Sequence, residues 1–170
     1  IRFPRTTLLL TVVGNISVLD ECVLSGVDFF VYSSIAYAMN DKGSFYGISK
    51  LTSEKIVEES HKQHHLNYSI LRYGSIYAAV DFDNNYLFQL VKSAIETETI
   101  IHKGDGEELR EYVHVKDVSE VSVRVMENKD FWNSSLMLTG NERMKRKELF
   151  EMIREIIGND KREMHELYEG

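Results

Sequence analysis

Two short stretches decide the fold: residues 29–34 read FFVYSS, and residues 44–55 read SFYGISKLTSEK. The first is an aromatic and β-branched run followed by small hydroxyls, which is typical of a buried parallel strand that opens onto a loop. The second begins a helix predicted over 45–63, with Ser44 available as its N-cap. A buried strand followed by a long helix indicates an α/β protein.

The rest of the chain continues the alternation of helices and strands. A helix over 15–25 is predicted to end at Gly26, a plausible C-cap. The strand YSILRYG follows at 68–74. Further predicted elements are helices near 85–96 and 116–127, strands at 98–102, 110–114 and 134–138, and an amphipathic helix over 145–157 whose Leu149, Phe150, Ile153, Ile156 and Ile157 share a face. This order predicts a parallel sheet with flanking helices.

Composition limits the function classes. The chain has 170 residues, 43% of them hydrophobic and 28% charged, which is sufficient for one core. Its net charge of −7 argues against nucleic acid or an anionic membrane as partner, because both reward clustered Lys and Arg. The single cysteine, Cys22, excludes an intrachain disulfide and favours the cytoplasm. A soluble cytoplasmic protein is therefore predicted.

The N-terminus carries the apolar run LLLTVV at 8–13 behind two arginines. It superficially resembles the front of a secretory signal, but the sequence has no initiator Met and no small-residue cleavage pattern after the run. A fragment of a longer protein explains this better. No segment is expected to approach the roughly 20 apolar residues of a membrane-spanning helix.

Tyr46 and Lys50 are spaced for one helical face. Because four residues make about one turn, the ammonium stands beside the phenol, and a cation within about 4–6 Å favours the phenolate. Such a pair suits removal of a hydroxyl proton while hydride leaves the same carbon. The alternative for an isolated pair of this kind is a half-buried Tyr with a snorkelling Lys.

The strand FFVYSS lies just upstream of this pair. The strand, its hydroxyls and the Tyr46–Lys50 pair together resemble the catalytic set of the short-chain dehydrogenase/reductase superfamily, whose Ser/Thr, Tyr and Lys act with NAD(P). GDGEELREYVHVKDVSEVSV at 104–123 resembles a segment of its extended branch, the NAD-dependent sugar-nucleotide epimerases and dehydratases of the UDP-glucose 4-epimerase type. So do NISVLDECVLSGVDFFVYSS, LRYGSIY at 71–77 and LMLTGNERMKRKELFEMI at 136–153. The resemblance runs from about residue 15 to 158.

The resemblance implies roles for individual residues. Tyr46 would be the general acid/base, and Lys50 would favour its phenolate and hold the nicotinamide ribose of NAD. Arg110 would contact the nucleotide's phosphates. The alternative to this role is a surface ion pair of Arg110 with Glu107 or Glu111. The strand end that lines the cofactor and substrate cleft would comprise Arg72, Tyr73, Gly74 and Ser75. For Tyr73, a role in packing at the strand end explains the residue equally well. His114 and Asp117 would position their strand and helix.

The hydroxyl that completes the catalytic set is ambiguous. An ungapped count from the strand puts Ile35 at the family's Ser/Thr position, whereas a count back from Tyr37 points to Ser33. Ser34 is the compromise. The loop from Ser34 to Tyr46 is also shorter than usual in the extended enzymes, which could displace the hydroxyl from the tyrosine.

The family's glycine-rich turn, which binds the dinucleotide pyrophosphate at a helix N-terminus, has no counterpart among the ten glycines. We therefore expect a single incomplete domain over 1–170: segments 15–80 and 110–127 as the C-terminal half of the dinucleotide-binding fold, and 81–109 and 128–170 as part of a small substrate-binding region. NAD binding by this chain alone is expected to be weak or absent.

Two functional hypotheses remain. The chain is a sugar-nucleotide epimerase or dehydratase, or a noncatalytic remnant of one that does not bind dinucleotide by itself. A nucleotide sugar is the expected substrate, and homodimerisation or self-association through a broken sheet edge is expected. The histidines of HKQHH, at 61, 64 and 65, are interpreted as a solvated helix end rather than a metal site.

Overall fold

The computed structural model describes residues 3–38, 44–80, 85–158 and 165–169. The helices are α1 (Pro4–Leu8), continued by a π-helical turn (Leu9–Val13) into α2 (Gly14–Leu24), then α3 (Ser44–His64), α4 (Tyr86–Thr97), α5 (Val115–Glu127) and α6 (Arg146–Gly158). The strands are β1 (Phe29–Ile35), β2 (Asn67–Tyr73), β3 (Ser75–Tyr77), β4 (Thr99–Lys103), β5 (Leu109–His114), β6 (Ser134–Leu138), β7 (Arg143–Lys145) and β8 (His165–Glu169).

The N-terminal segment forms one continuous helical stretch, Pro4–Leu24, of 21 residues. The expectation that no segment approaches the length and apolarity of a membrane span is therefore wrong, because the helix runs through Gly14 without a break and joins the apolar run to the helix that follows. A single apolar helix near an N-terminus is weak evidence of a membrane span. This one is attached to α3, where the Ser53 hydroxyl donates to the Thr11 carbonyl at 3.1 Å.

The chain divides into two compact units. The first comprises Ile1–Gly74 and Lys116–Thr139, and the second comprises Ser75–Val115 and Gly140–Gly170. These bounds differ from those of the predicted segments. The assignment of dinucleotide binding and substrate binding to particular segments stays a prediction.

The first unit is built on a parallel sheet with strand order β1-β2-β6. In its register Ser34 lies opposite Arg72 on the neighbouring strand. The core beside the sheet combines residues of α2, β1, α3, the turn after α3 and β2: Leu19, Tyr32, Val57, Leu66, Tyr68 and Ile70. Ile70 and Leu71 are fully buried, so truncation of either to Ala should cost about 2–5 kcal/mol. The predicted partial Rossmann-like sheet with flanking helices is confirmed.

Helix α2 ends where the sequence predicts. Gly26 adopts a positive φ of 67°, which a glycine accommodates without strain. The Gly26 and Val27 amides donate to the Val23 and Cys22 carbonyls and so satisfy the last turn of the helix. At the C-terminal end of helix α3, His61 Nδ1 lies 3.1 Å from the Leu66 carbonyl oxygen and closes the turn into β2.

The second unit contains β3, β5 and β7 in one sheet and β4 and β8 in another. Strand β7 pairs antiparallel with β5, whereas the sequence predicts only parallel pairing. Its core joins α4, β4 and α6 through Leu90, Ala94, Ile100, Leu149, Phe150 and Ile153. Ile157 packs partly against this cluster, but Ile156 is 70% exposed, so its predicted place on the buried face of α6 is wrong. Ile156 lies in the last turn of α6, at the margin of the buried arc.

Candidate functional site

Helix α3 presents Tyr46, Lys50 and Glu54 at successive turns. Positions i, i+4 and i+8 fall on one face of a helix. The small residues Gly47, Ser49 and Ser53 are buried and let α3 approach its neighbours closely. A methyl group added at Gly47 would meet the Tyr37 carbonyl oxygen at 3.9 Å, which shows how near the loop after β1 passes. The predicted Tyr–Lys pair thus stands on a helix that lies close to the C-terminal end of β1.

The ammonium of Lys50 is held at that strand end. Its Nζ donates to the Ser33 carbonyl oxygen at 2.8 Å. It also lies over two aromatic rings, 5.1 Å from the centroid of Tyr32 and 5.7 Å from that of Tyr46. Both distances allow a cation–π contact. Burial lowers the pKa of Lys50 from its ordinary value, and the Glu54 charge acts in the opposite direction.

Tyr46 is accessible from solvent, with 38% of its surface exposed. No hydrogen bond joins its hydroxyl to any of the described residues. The predicted general acid/base is therefore a residue that solvent reaches, as proton exchange with a substrate requires. Its catalytic role stays a prediction.

The two candidate serines have different surroundings. Ser34 is buried, and its hydroxyl donates to Glu54 Oε1 at 2.5 Å. Ser33 is exposed, and its backbone carbonyl is the group that binds Lys50. Side chains alternate between the faces of a strand, so the two hydroxyls point to opposite sides of β1. The structure brings neither serine hydroxyl into a hydrogen bond with Tyr46, and their catalytic assignment stays a prediction.

A buried ion pair lies next to this site. Arg72 donates to Glu54 through Nε, at 3.0 and 3.2 Å from the two carboxylate oxygens, and through Nη2 at 2.7 Å. The Glu54 side chain is fully buried, and that of Arg72 is 16% exposed. Sequence reasoning placed Arg72 at the strand end and did not single out Glu54. The i, i+4, i+8 spacing from Tyr46 through Lys50 was the available signal for it.

The remaining residues of the predicted strand end have structural contacts. The Tyr73 hydroxyl lies 2.9 Å from Ser122 Oγ, and the Gly74 amide donates to the Leu138 carbonyl at 2.9 Å. Ser75 begins β3 and pairs with Tyr112 of β5. Their roles in cofactor or substrate binding are untested by these contacts.

Arg110 lies on β5 in the second unit, opposite Met144 of β7. Its Nη1 donates to the neighbouring Leu109 carbonyl at 3.0 Å. The acids offered as its ion-pair partners have other cations: Glu111 accepts from Arg143 Nε at 2.5 Å, and Glu107 accepts from Lys145 at 2.7 Å and from Lys147. His114 packs edge-on against Tyr77, with ring centroids 5.2 Å apart, while Asp117 is exposed in the first turn of α5.

The site fits one end of a dinucleotide better than the other. An ammonium has three N–H donors, and among the described residues the Ser33 carbonyl accepts from one of them; ribose binding by Lys50 stays a prediction. The pyrophosphate needs a nest of backbone N–H groups at a helix N-terminus. The sequence contains no glycine-rich turn of that kind, and the close pair Gly104 and Gly106 lies in the turn between β4 and β5.

Comparison with known proteins places this geometry in a wider context. A family model described as the NAD dependent epimerase/dehydratase family matches residues 2–135. The match includes the segment before residue 15, where the sequence motifs showed no resemblance, so the N-terminal helical stretch lies within the family region.

Curated relatives are distant in sequence but cover most of the chain. A putative UDP-glucose 4-epimerase of Methanocaldococcus jannaschii is 22% identical over 167 residues, which are 88% of this chain and 53% of the relative. An uncharacterized UDP-glucose epimerase of Bacillus subtilis is 21% identical over 152 residues, or 82% of this chain and 48% of the relative. The chain spans about half the length of these curated relatives.

Solved structures share the fold. UDP-glucose 4-epimerase of Thermotoga maritima with UDP-glucose matches with a TM-score of 0.84 and 25% identity, over 99% of this chain and 60% of that chain. UDP-glucuronic acid 4-epimerase of Bacillus cereus, in complex with UDP-glucuronic acid and NAD, matches with a TM-score of 0.84 and 21% identity, over 94% of this chain and 55% of that chain.

Proposed function

Because the chain belongs to the NAD dependent epimerase/dehydratase family, we propose that it carries the proton-transfer centre of an enzyme that epimerises or dehydrates a nucleotide sugar. Tyr46 is the general acid/base, and Lys50 is the cation beside it. The observation that carries this proposal is the hydrogen bond from Lys50 to the Ser33 carbonyl, which holds the ammonium at the end of β1 with the exposed Tyr46 ring 5.7 Å away.

In this proposal the chain's own residues perform one chemical task, the transfer of a proton to and from a sugar hydroxyl. Tyr46 takes a proton from a sugar hydroxyl and later returns it, while Lys50 stabilises the phenolate and uses its N–H groups to hold ribose hydroxyls. NAD, when bound, supplies the acceptor for the adjacent hydride. The partial burial of Lys50 strengthens its attraction to a nearby phenolate, because the local dielectric is below that of water.

Substrate binding is assigned to Arg110, with Ser75. The guanidinium of Arg110 offers a planar fork of donors that suits the paired oxygens of a phosphate. Support comes from the similar epimerases, which hold UDP-glucose or UDP-glucuronic acid. Tyr73, Gly74 and Ser75 are assigned to cofactor binding.

A noncatalytic remnant is the second candidate, and two observations favour it. The hydroxyl of Ser34 is bound to Glu54 and makes no hydrogen bond with Tyr46. The sequence also has no glycine-rich turn to hold the pyrophosphate. Such a protein would keep the Tyr46–Lys50 pair as part of its fold and would not bind dinucleotide by itself.

Amide chemical shifts of the isotope-labelled chain during titration with millimolar NAD distinguish the two. The enzyme proposal expects shifts at the end of β1 and the start of α3 that disappear in Lys50→Met and persist in Lys55→Met, whose lysine is exposed on the same helix. No shift in any variant supports the remnant. Titration with UDP-glucose, comparing Arg110→Met with Arg143→Met, tests the substrate half in the same way.

The cellular setting completes the proposal. A cytoplasmic protein with no nucleic-acid or membrane partner is supported by the net charge of −7 and the single cysteine, which is free. A homodimer is supported by the exposed apolar residues of the N-terminal helical stretch, among them Leu9, Leu10 and Val13.

A further inference from the structure

Glu54 is a charged side chain with no contact with solvent. Its carboxylate accepts one hydrogen bond from Ser34 and three from Arg72. A carboxylate this deeply buried is costly unless it is fully paired, and here the pairing is nearly complete. Such a group stabilises a fold less well than an apolar side chain of the same volume, so its presence calls for another role.

The partners of Glu54 join α3 to both strands. Ser34 of β1 and Arg72 of β2 lie opposite each other in the sheet register, and the carboxylate of α3 binds both. One helical turn earlier, Lys50 binds the carbonyl of Ser33. Helix α3 is therefore attached to two consecutive residues at the end of β1, through a carboxylate and an ammonium that are four positions apart.

We propose that Glu54 is a positioning residue for the Tyr46–Lys50 site: with Arg72 and Ser34 it fixes the rotation of α3 against the end of β1, and its charge holds the Lys50 ammonium at the Ser33 carbonyl. This inference rests on the proposed function for its catalytic meaning. Two attachments at successive turns leave α3 no freedom to roll, so Tyr46, one turn further towards the N-terminus, is directed at the same strand end.

The charges around Lys50 agree with this role. Among the described residues, the titratable groups that face it are Tyr46 and Glu54 on α3 and Tyr32 on β1. Burial lowers the pKa of Lys50, and among these groups the Glu54 carboxylate raises it. Tyr32 stays neutral, because burial raises the pKa of its phenol. The Glu54 carboxylate is thus the neighbouring charge that offsets the desolvation of the ammonium.

Competitive acylation of lysines with trace acetic anhydride, quantified by mass spectrometry of peptides, tests this without any turnover. In Glu54→Gln the loss of charge favours the neutral amine, so labelling of Lys50 at pH 8 should rise about threefold or more relative to wild type. Labelling of Lys55 and Lys62 in the same sample should not change. Glu59→Gln, the same substitution at an exposed position of α3, should leave Lys50 unchanged.

Glu54→Gln leaves Arg72 buried without its carboxylate, which threatens folding. The double variant Glu54→Gln, Arg72→Gln removes both charges and should fold, as judged by circular dichroism, and it should show the same increase at Lys50. Restoring the carboxylate in Glu54→Asp should return labelling towards the wild-type level. A rise in Lys50 labelling in the double variant, reversed by the carboxylate, supports the inference.

Unchanged Lys50 labelling in folded Glu54→Gln or in the double variant would overturn it and leave Glu54 a purely structural partner of Arg72. An equal rise at Lys55 and Lys62 would overturn it as well, because that indicates general loosening of the helix. These outcomes are independent of NAD binding. Failure of the proposed function, read from the NAD titration, is therefore distinguishable from failure of this inference.

Discussion

The Lys50 ammonium donates a 2.8 Å hydrogen bond to the Ser33 carbonyl oxygen, so a side chain of α3 is fixed to the main chain of β1. A backbone carbonyl is present whatever the side chain at that position. The ammonium is thus placed independently of which serine hydroxyl completes the catalytic set. The exposed Tyr46 ring lies beside it, and this arrangement supports the proposed proton-transfer role.

Tyr46→Phe tests the proton-transfer role in any form of this protein that turns over a nucleotide sugar. Removal of the hydroxyl abolishes proton exchange and leaves the ring against Lys50, so turnover should fall by about 100-fold or more while NAD affinity stays within about twofold. Steady-state kinetics and equilibrium binding measure the two effects. Phe45→Leu, at an exposed neighbouring position, is the matched control. Unchanged turnover in Tyr46→Phe would remove Tyr46 from the mechanism.

The Glu54–Arg72 pair should show strong energetic coupling. Arg72→Met leaves the Glu54 carboxylate buried without its cation and should lower the free energy of unfolding by about 3–5 kcal/mol. Glu54→Leu combined with Arg72→Met replaces the pair by apolar side chains and should cost less than Arg72→Met alone. Urea unfolding of the single and double variants, Glu54→Leu included, measures this. Simple addition of the two single effects would show that the charges do not interact.

Glu107 gives a pH dependence of known sign. Hydrogen bonds from Lys145 and Lys147 lower the pKa of this carboxyl from 4.5 to about 2. A depressed folded-state pKa means that the carboxylate stabilises the fold above about pH 4.5 and loses this contribution as the pH falls towards 2. Glu107→Gln should therefore melt at a slightly lower temperature than wild type at pH 7, and the two curves should coincide near pH 2.

Because Glu107 is exposed and both lysines are partly exposed, the difference at pH 7 should be small and should shrink in 1 M salt. Glu155→Gln, an exposed acid on α6, serves as the control substitution. A difference that persists unchanged at pH 2 would show that the ion pairs are not its source.

Much of the first unit could be predicted from the sequence, because its signals are local. A continuous apolar run followed by hydroxyls defines β1, and the periodicity of α3 placed Tyr46 and Lys50 on one face. The Gly26 cap was equally visible. These features depend on neighbouring residues alone, and the structure confirms each of them.

The parts that were missed depend on long-range contacts. The periodicity of a short apolar run such as 8–13 is compatible with a strand and with a helix. The helical stretch before residue 15 was therefore not predicted. The short strands β3 and β7 pair with β5 from distant positions and have no alternation of their own. The serine choice stayed open for a related reason: which hydroxyl meets Glu54 depends on which face of β1 packs against α3, and adjacent residues differ in that respect.

Strand β1 is at an edge of the first unit's sheet in the part of the chain that the structure describes. Apart from the Ser33 carbonyl, which accepts from Lys50, its outer side has no strand partner among the described residues, and such an edge favours pairing with a second copy. We expect light scattering to show concentration-dependent association, and Val31→Lys, a charge on the half-buried edge, to reduce it. Lys55→Glu should have no such effect. A strictly monomeric wild-type chain at high concentration would refute the expectation.

The central claim is that this chain holds the nicotinamide-ribose end of a cofactor site through Tyr46 and Lys50 and has no glycine-rich turn for the pyrophosphate. Isothermal titration of the 170-residue chain with NAD tests it most directly. We expect a dissociation constant in the millimolar range, loss of the binding heat in Lys50→Met, and no measurable epimerase activity of the chain alone. Micromolar binding by a monodisperse monomer, or binding unchanged in Lys50→Met, would contradict the claim.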